Sequence, residues 1–208
     1  LQFPNKEIEE AVEDSLARYD FTRKGYFDQY HTELGRFYTA LASGNTRESM
    51  NILSSFAFRL YTDPLNPEVS TREVARRVGL IFSAAGVNIQ LSKLNSDRNS
   101  KQSGGDVGIH TTNLRMNYIV ELKATDNKNH TALLSLNQQL KQLKKHPKSF
   151  TKFIKKQENY FLLGLNFQIL NGSAVLHSWI SLPCVNGTLQ YSDVKAEPEY
   201  LEKDVVPM

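Results

Sequence analysis

The chain has 208 residues, a length that suits one domain with additions. Hydrophobic residues make up 40% of it, with 11 Phe and 9 Tyr, so the composition predicts a packed core and excludes a disordered chain. The single cysteine, Cys184, excludes an intramolecular disulfide and argues against a cysteine-built zinc site, and we expect it to be a small buried side chain. The net charge is only +3, so any surface for nucleic acid must be a local basic patch.

The sequence contains no apolar run that approaches the length of a membrane span, and no charged segment followed by an apolar one opens it. We therefore expect no contact with a membrane. The expected location is the cytoplasm, or a host cell into which the chain is delivered as part of a larger protein. The chain does not begin with methionine, which suggests a domain taken from something longer.

Residues 1–65 carry apolar positions at helical spacing and predict an all-α N-terminal extension. The predicted helices span about 6–19, 27–42 and 46–61. The apolar face of the third helix comprises Met50, Leu53, Phe56, Ala57 and Leu60. We expect the aromatic residues of this extension to form core and not a surface for stacking bases. The prolines of 63–67 then break the chain.

The next segment changes from helical to strand periodicity. A helix is predicted over 69–85, and its apolar face comprises Val74, Val78, Ile81 and Phe82. Alternation then predicts a first strand over 87–91. A polar loop with several cations follows, from Asn95 to Gly105. Such a loop is typical of a hairpin tip and also of a mobile substrate clamp.

Two strand-like runs come next, and they carry the most informative residues of the chain. Alternate side chains of a strand share a face, so Glu121 and Lys123 project together while Val120 and Leu122 pack on the other side. The short connection before this strand predicts a tight hairpin with the run that begins at Asp106. We expect the hairpin to bring Asp106 level with Glu121, in a polar site at the edge of the sheet.

This residue set has a definite chemistry. Magnesium prefers oxygen ligands, so Asp106, Glu121 and the carbonyl of Leu122 could hold one Mg²⁺ or Mn²⁺ ion. Such an ion polarises a phosphate and acidifies a water molecule. Lys123 could orient or deprotonate that water and offset charge in the transition state. The set therefore predicts hydrolysis of phosphodiesters, although the same string also arises by chance from solvated residues of an edge strand.

A helix with glutamines follows the second strand, and after it comes a basic stretch whose lysines group on one helical face although Pro147 must interrupt the helix. Between residues 141 and 156 seven lysines occur without any acidic residue, and the five that we predict to bind nucleic acid are Lys141, Lys144, Lys145, Lys148 and Lys152. A phosphate backbone would relieve their mutual repulsion and release counterions. A solvated lysine face explains the pattern equally well. Strands are then predicted over 160–170 and 174–181, and a peripheral tail over 184–208.

The order of these elements resembles the PD-(D/E)xK nuclease superfamily. The resemblance covers about residues 3–181 and is nearest to the nuclease-like domain that follows AAA-ATPase-like modules in bacterial proteins. It is carried by Phe3-Pro4-Asn5-Lys6-Glu7-Ile8, Leu41-Ala42-Ser43-Gly44-Asn45, Val120-Glu121-Leu122-Lys123 and Leu163-Gly164-Leu165-Asn166-Phe167. Gly105 precedes Asp106 where the superfamily name has proline, a departure that many members share.

The resemblance implies a fold and further site residues. We expect an α/β core over 66–183, with a restriction-endonuclease-like mixed sheet flanked by helices. The resemblance assigns catalytic roles to Glu73 and to a glutamine after the Glu-x-Lys strand, Gln138 or Gln139, and the sequence does not show which of these two faces inward. Glu73 also fits a structural role, because a glutamate is favoured near the N-terminus of a helix.

The sequence thus predicts a magnesium-dependent deoxyribonuclease, and two alternatives stay open. A catalytically inactive nuclease-like module could bind nucleic acid through the lysines alone. A protein-interaction module of a larger ATPase-linked protein or toxin would instead bury residues 3–61 against a partner. The chain contains no G-x-x-x-x-G-K-[ST] phosphate-binding loop, so any ATPase activity would have to come from elsewhere.

Overall fold

The structure is a computed structural model, and it describes residues 11–12, 15, 30–60, 67–93, 107–126, 131–145 and 159–197. These residues form an α/β fold in which one mixed sheet of eight strands is flanked by helices. The helices are α1 (Tyr30–Ala42), α2 (Thr46–Leu53), α3 (Pro67–Ala84) and α4 (Ala132–Lys145). Ala11, Val12 and Ser15 are also helical, which agrees with the helix predicted over 6–19.

The central strands of the sheet are long, and the outer strands are short. They are β1 (Ala57–Arg59), β2 (Ile89–Lys93), β3 (Val107–Thr111), β4 (Asn117–Thr125), β5 (Tyr160–Leu170), β6 (Ser173–Val185), β7 (Thr188–Leu189) and β8 (Lys195–Glu197). A 3-10 helix, Tyr191–Asp193, precedes β8.

The main path of the sheet runs β1-β6-β5-β4-β3-β2, and β7 and β8 both pair with β6. The β4–β5 pair is parallel, and the other described pairs are antiparallel. Parallel neighbours require a crossover connection, and α4 lies within the one between β4 and β5. β4 is therefore an interior strand with partners on both sides.

The helices cover the two faces of the sheet and define two cores. The larger core joins α1, α2 and α3 to one face, and β4 contributes Tyr118, Val120, Leu122 and Ala124 to it. The smaller core joins α4 to the other face, where Ile119 of β4 meets Leu136 and Leu140. Alternation along β4 accounts for this division of its side chains.

The third predicted helix is wrong in its second half. α2 ends at Leu53, and Ala57–Arg59 is an edge strand that pairs with residues 173–175 of β6. Ser54 and Ser55 close the helix with backbone bonds to Met50 and Ile52. Phe58 is buried in the larger core, so tertiary packing decides the conformation of a segment whose apolar residues suit either period.

Within the described ranges, the other predicted helices and strands are confirmed within small shifts. α3 contains the predicted apolar face and ends before Gly86, whose φ of +83° suits glycine. The first strand begins two residues later than predicted, at Ile89. The hairpin of β3 and β4 forms as expected, and β6 extends four residues beyond the predicted strand. Cys184 is buried, as predicted.

The division into residues 1–65, 66–183 and 184–208 stays a prediction, but its outer parts contact the central one. α1 and α2 place Phe37, Met50 and Leu53 in the same core as β4. At the other end, β8 pairs with β6, and Ala196 is buried in the smaller core.

Candidate functional site

Glu121 and Lys123 lie on one face of β4, as the sequence predicts. The residues between and before them, Val120 and Leu122, belong to the larger core on the opposite face. Glu121 and Lys123 therefore share the face of Ile119, which α4 covers. Along β4, the two residues follow Ile119 on this face, where the smaller apolar core ends and polar side chains begin.

The predicted position of this pair at the sheet edge is wrong. β4 pairs with β3 on one side and with β5 on the other, so Glu121 is in the interior of the sheet. Its side chain is buried, at 1% exposure, and is not an ordinary solvated residue of an edge strand. Burial of a carboxylate is costly unless the site compensates for lost solvation, so this placement demands a polar environment.

The predicted register of the hairpin is also wrong. The β3 residue opposite Glu121 is Gly108, not Asp106. β3 begins at Val107, and Asp106 itself lies outside the described residues. The position of its carboxyl group relative to Glu121 stays a prediction.

Two further polar residues accompany Glu121 and Lys123 on the α4 face. Asn166 of β5 is the parallel partner of Lys123, and Ser178 of β6 is the antiparallel partner of Asn166. Both are buried, at 2% exposure. We call Glu121, Lys123, Asn166 and Ser178 the polar layer. In the sequence, Asn166 belongs to the motif Leu163-Gly164-Leu165-Asn166-Phe167 and has no predicted role of its own, although a polar residue within the apolar run of β5 could have marked it.

The N-terminal turn of α4 is held tightly against this layer. Ser178 Oγ accepts a hydrogen bond from the backbone N–H of Ala132 at 3.3 Å. Gly164, the β5 residue beside Glu121, lets the helix come close. A Cβ at residue 164 would lie 2.6 Å from the carbonyl oxygen of Ala132 and 3.0 Å from the nitrogen of Leu136. The absence of a side chain at Gly164 therefore sets the distance between α4 and β5.

Capping satisfies other donors at the start of this helix. The hydroxyl of Thr131 accepts a hydrogen bond from the N–H of Leu134 at 3.4 Å, and its carbonyl accepts from Leu134 and Ser135. Gln138 and Gln139 lie within α4, but their side chains are outside the described part of the structure. The choice between them stays open.

Glu73 lies on a helix that packs against the opposite face of the sheet. Residues of α3 join the larger core, and the hydroxyl of Thr71 donates to the carbonyl of Ala124 at 3.1 Å. The Glu73 carboxylate accepts from Arg77 Nε at 3.2 Å and from Arg76 Nη2 at 3.4 Å. Arg77 is itself buried, at 1% exposure. These contacts give Glu73 a structural role, and its assignment to the site stays a prediction.

His110 adds a titratable group to the α4 face. It lies opposite Ile119 in the β3–β4 pair, two residues from Gly108 and hence diagonal to Glu121. Its ring is buried, at 3% exposure, and burial lowers its pKa from 6.5 to about 4. The imidazole is therefore neutral at pH 7.

The predicted lysine surface is described only at its start. Lys141 is exposed on α4. Lys144 and Lys145 belong to the last turn of this helix, but their side chains are not among the described ones, and Lys148 and Lys152 lie beyond it. The role of the five lysines stays a prediction.

The described residues supply part of the predicted metal site. Within the described ranges, no cluster of three or more His, Cys, Asp or Glu side chains is arranged to hold an ion. Of the two predicted carboxylate ligands, only Glu121 falls in these ranges, and its oxygens are the hard donors that Mg²⁺ prefers. The donor chemistry therefore fits in kind, and a complete ligand set depends on Asp106.

Comparison with known proteins adds no family. No protein-family model, curated protein or solved structure gives a significant match to the chain. None of the helices in the described ranges has the length and apolarity needed to cross a membrane.

Proposed function

We propose that the chain is a magnesium-dependent nuclease that hydrolyses phosphodiester bonds of DNA. The observation that supports this best is the polar layer, in which the buried Glu121 and the half-buried Lys123 lie on the same face of β4. Buried polar groups cost stability, and a cluster of them in one place is typical of a functional site. Asp106 directly precedes the strand that pairs with Glu121.

The order of the elements supports the finer fold assignment. α3 is followed by the three antiparallel strands β2, β3 and β4, then by α4 and by β5, which is parallel to β4. This is the order of helix, Glu-x-Lys strand, glutamine helix and further strands that suggested the PD-(D/E)xK superfamily. A restriction-endonuclease-like core is therefore our proposal for the central part of the chain.

The proposed chemistry assigns a role to each residue. Asp106, Glu121 and the carbonyl of Leu122 would hold Mg²⁺ or Mn²⁺, which polarises the scissile phosphate and acidifies a water molecule when bound. Lys123 orients or deprotonates the attacking water and offsets charge on the phosphate. In this proposal Gln138 or Gln139 approaches the substrate from α4, and Glu73 completes the site only if it leaves Arg77.

A nucleic-acid substrate accounts for the basic run that begins on α4. The lysine run begins at Lys141 on α4, the helix that covers this face of the sheet, and Lys148 and Lys152 follow the helix in the sequence. A phosphate backbone would neutralise these lysines, and contacts of this kind do not depend on the base sequence of the nucleic acid. We favour DNA as the substrate, and the same contacts would also suit RNA.

One observation favours a second candidate, the catalytically inactive module that binds nucleic acid. Glu121 is 1% exposed, and a buried carboxylate can also serve only the structure. No described feature favours a protein partner at the helical extension, because Leu34, Phe37, Met50 and Leu53 are already buried in the chain's own core.

A cleavage assay separates these functions. Plasmid nicking is measured with Mg²⁺, Mn²⁺, Ca²⁺ or a chelator for the wild type, Asp106→Asn, Glu121→Gln and the control Glu197→Gln, whose side chain is exposed on β8. We expect Mg²⁺ and Mn²⁺ to support nicking. Either site variant should lose activity by about 100-fold or more, which is typical of removing one catalytic group, and the control should not.

Binding measured in Ca²⁺ and thermal melts accompany the assay. A wild type that binds DNA without cutting it would identify the inactive module. Full cleavage by Glu121→Gln, or cleavage in the presence of the chelator, would contradict the proposed mechanism.

A further inference from the structure

We propose that Asn166 is a positioning residue of this site, which holds the side chain of Lys123 in place for reaction. The inference rests on the proposed function and extends the site from β4 to β5, where no catalytic residue is predicted from the sequence. Asn166 acts through Lys123 and is not itself proposed to contact the substrate.

The pairing of β4 with β5 places these two residues together. Lys123 and Asn166 are Cα partners in the parallel register. Neighbouring strands are about 4.8 Å apart, and partners in register direct their side chains to the same face. Lys123 is half-buried and Asn166 is buried. An amide at this neighbouring position on the same face would restrict the lysine side chain and so limit where its amine can go.

An asparagine at this position contrasts with the rest of its strand. The preceding residues of β5, from Phe161 to Leu165, are buried and apolar apart from Gly164, and Phe167 follows in the larger core. A hydrophobic residue would bury more apolar surface here without the cost of a desolvated amide. The amide next to Lys123 is therefore better explained by a role in positioning a polar group than by packing.

The local geometry of β6 keeps the asparagine in this place. The register shifts directly after Asn166, because Phe167 pairs with Leu176 while Asn166 pairs with Ser178. His177 is the extra residue of this bulge and is exposed. Bulges redirect side chains and are common near active sites. This bulge keeps Ser178, which is bonded to the first residue of α4, beside Asn166.

Three residues surround Asn166 on this face of the sheet. Ser178 and Lys123 are its partners on the two adjacent strands, and Gly164 lies two residues before it on β5. Lys123 has the longest and most flexible side chain of the polar layer. Loss of the neighbouring amide should increase the freedom of its amine and lower the fraction of molecules in the reactive geometry.

The test is a double-mutant cycle between Asn166→Ala and Lys123→Ala. Single-turnover cleavage in Mg²⁺ and DNA affinity in Ca²⁺ are measured for the wild type, both single variants and the double variant. Asn166→Leu removes the amide but keeps the number and branching of side-chain heavy atoms, which guards against a loss caused only by a cavity. Gln168→Ala, two residues further on the same strand face, is the matched control.

We expect Asn166→Ala and Asn166→Leu to lower the cleavage rate about 10- to 100-fold, as loss of a supporting residue typically does, with unchanged DNA affinity. In the Lys123→Ala background, Asn166→Ala should cause no further loss, because its effect passes through the lysine. Wild-type rates in both Asn166 variants would overturn the inference. An equal loss with and without Lys123 would also overturn it, since it would mark a purely structural residue.

A urea-unfolding cycle on the same four proteins separates this inference from the proposed function. If the wild type does not cleave DNA, the proposed function fails, and the unfolding cycle alone decides whether the pair interacts. Non-additive free energies of unfolding for Asn166→Ala and Lys123→Ala would support the pair. Additive values would overturn it.

Discussion

The two faces of the sheet differ in what they bury. On the α3 face, β4 presents Tyr118, Val120, Leu122 and Ala124, all within one large apolar core. On the α4 face, apolar packing around Ile119 gives way to the polar layer within two residues. Apolar burial supplies most of the stability of a fold, whereas buried polar groups reduce it unless fully satisfied. In our proposal, the α3 face supplies most of the apolar stabilisation and the α4 face carries the function.

The largest expected effect comes from one substitution on each face. Glu121→Gln should lower the cleavage rate by about 100-fold or more while the melting temperature changes little. Leu165→Ala, at a buried position of the larger core, should cost about 2–5 kcal/mol of stability through the lost contacts and the cavity. Below its lower melting temperature, this variant should still cleave DNA. Rates and melts of both proteins test the expected separation.

The opposite result would show that both faces mainly stabilise the fold. If Glu121→Gln unfolds the protein as Leu165→Ala does, and retains activity per folded molecule, the polar layer is a structural element.

A second prediction concerns the contact between α4 and the polar layer. Gly164→Ala should destabilise the protein by about 1–3 kcal/mol, because the new Cβ meets backbone atoms of Ala132 and Leu136 that can move only with the helix. Gly35→Ala is the control, since nothing lies within 4 Å of its Cβ position in α1. It should stabilise by about 0.5–1 kcal/mol. Urea unfolding of both variants checks this, and equal effects would contradict the close approach of α4.

A third prediction uses the buried imidazole on the α4 face. Burial lowers the pKa of His110 from 6.5 to about 4, so the unfolded chain takes up a proton first as the pH falls. Stability is therefore lost between pH 6.5 and pH 4, by roughly 3 kcal/mol at most, and stays lost below. His110→Asn should flatten the plot of unfolding free energy against pH in that window. An unchanged slope would show that the ring is not buried in the neutral form.

The smallest expected effect concerns the lysines beyond the polar layer. Replacing Lys144, Lys145, Lys148 and Lys152 with glutamine should weaken binding to all DNA sequences alike. Each lost phosphate contact should flatten the plot of log affinity against log salt by roughly one unit. Lys195→Gln on β8 is the control. Binding titrations in Ca²⁺ at several salt concentrations measure the slope, and an unchanged slope would identify a solvated lysine face.

Much of the fold was predictable because its main elements are long. α3 follows helical spacing over 18 residues, and β4 and β5 are long, mostly apolar runs, as is typical of strands buried on both faces. The structure of the segment after Leu53 was not predictable, because its apolar residues fit a helix as well as a strand. Pairing of Ala57 with Val175 selects the strand, and that partner is far away in the sequence.

The register of the hairpin was missed for a local reason. Thr111 Oγ1 donates to the side-chain oxygen of Asn117 at 3.2 Å and accepts from the N–H of Tyr118 at 2.7 Å. The same Asn117 oxygen accepts from the N–H of Leu114. These bonds close a loop whose length fixes Gly108 opposite Glu121. Side-chain closure of this kind is not evident from alternation alone.

The candidate site was predictable only where it is local in sequence. Glu121 and Lys123 share a face by alternation along one strand. Asn166 and Ser178 join them through the pairing of β4 with β5 and of β5 with β6, which depends on the crossover helix and on a bulge. No spacing within a single segment could have shown that neighbourhood.

A crystal structure determined in the presence of manganese tests the central claim most directly, since it locates the ion and the carboxylates together. Anomalous scattering would identify Mn²⁺ without reference to activity. Our account predicts one ion bound by Asp106, Glu121 and the carbonyl of Leu122, with Lys123 beside it and Asn166 beside Lys123. Asp106 and Glu121 directed away from each other, with no anomalous density near Glu121, would contradict the account and favour the inactive module.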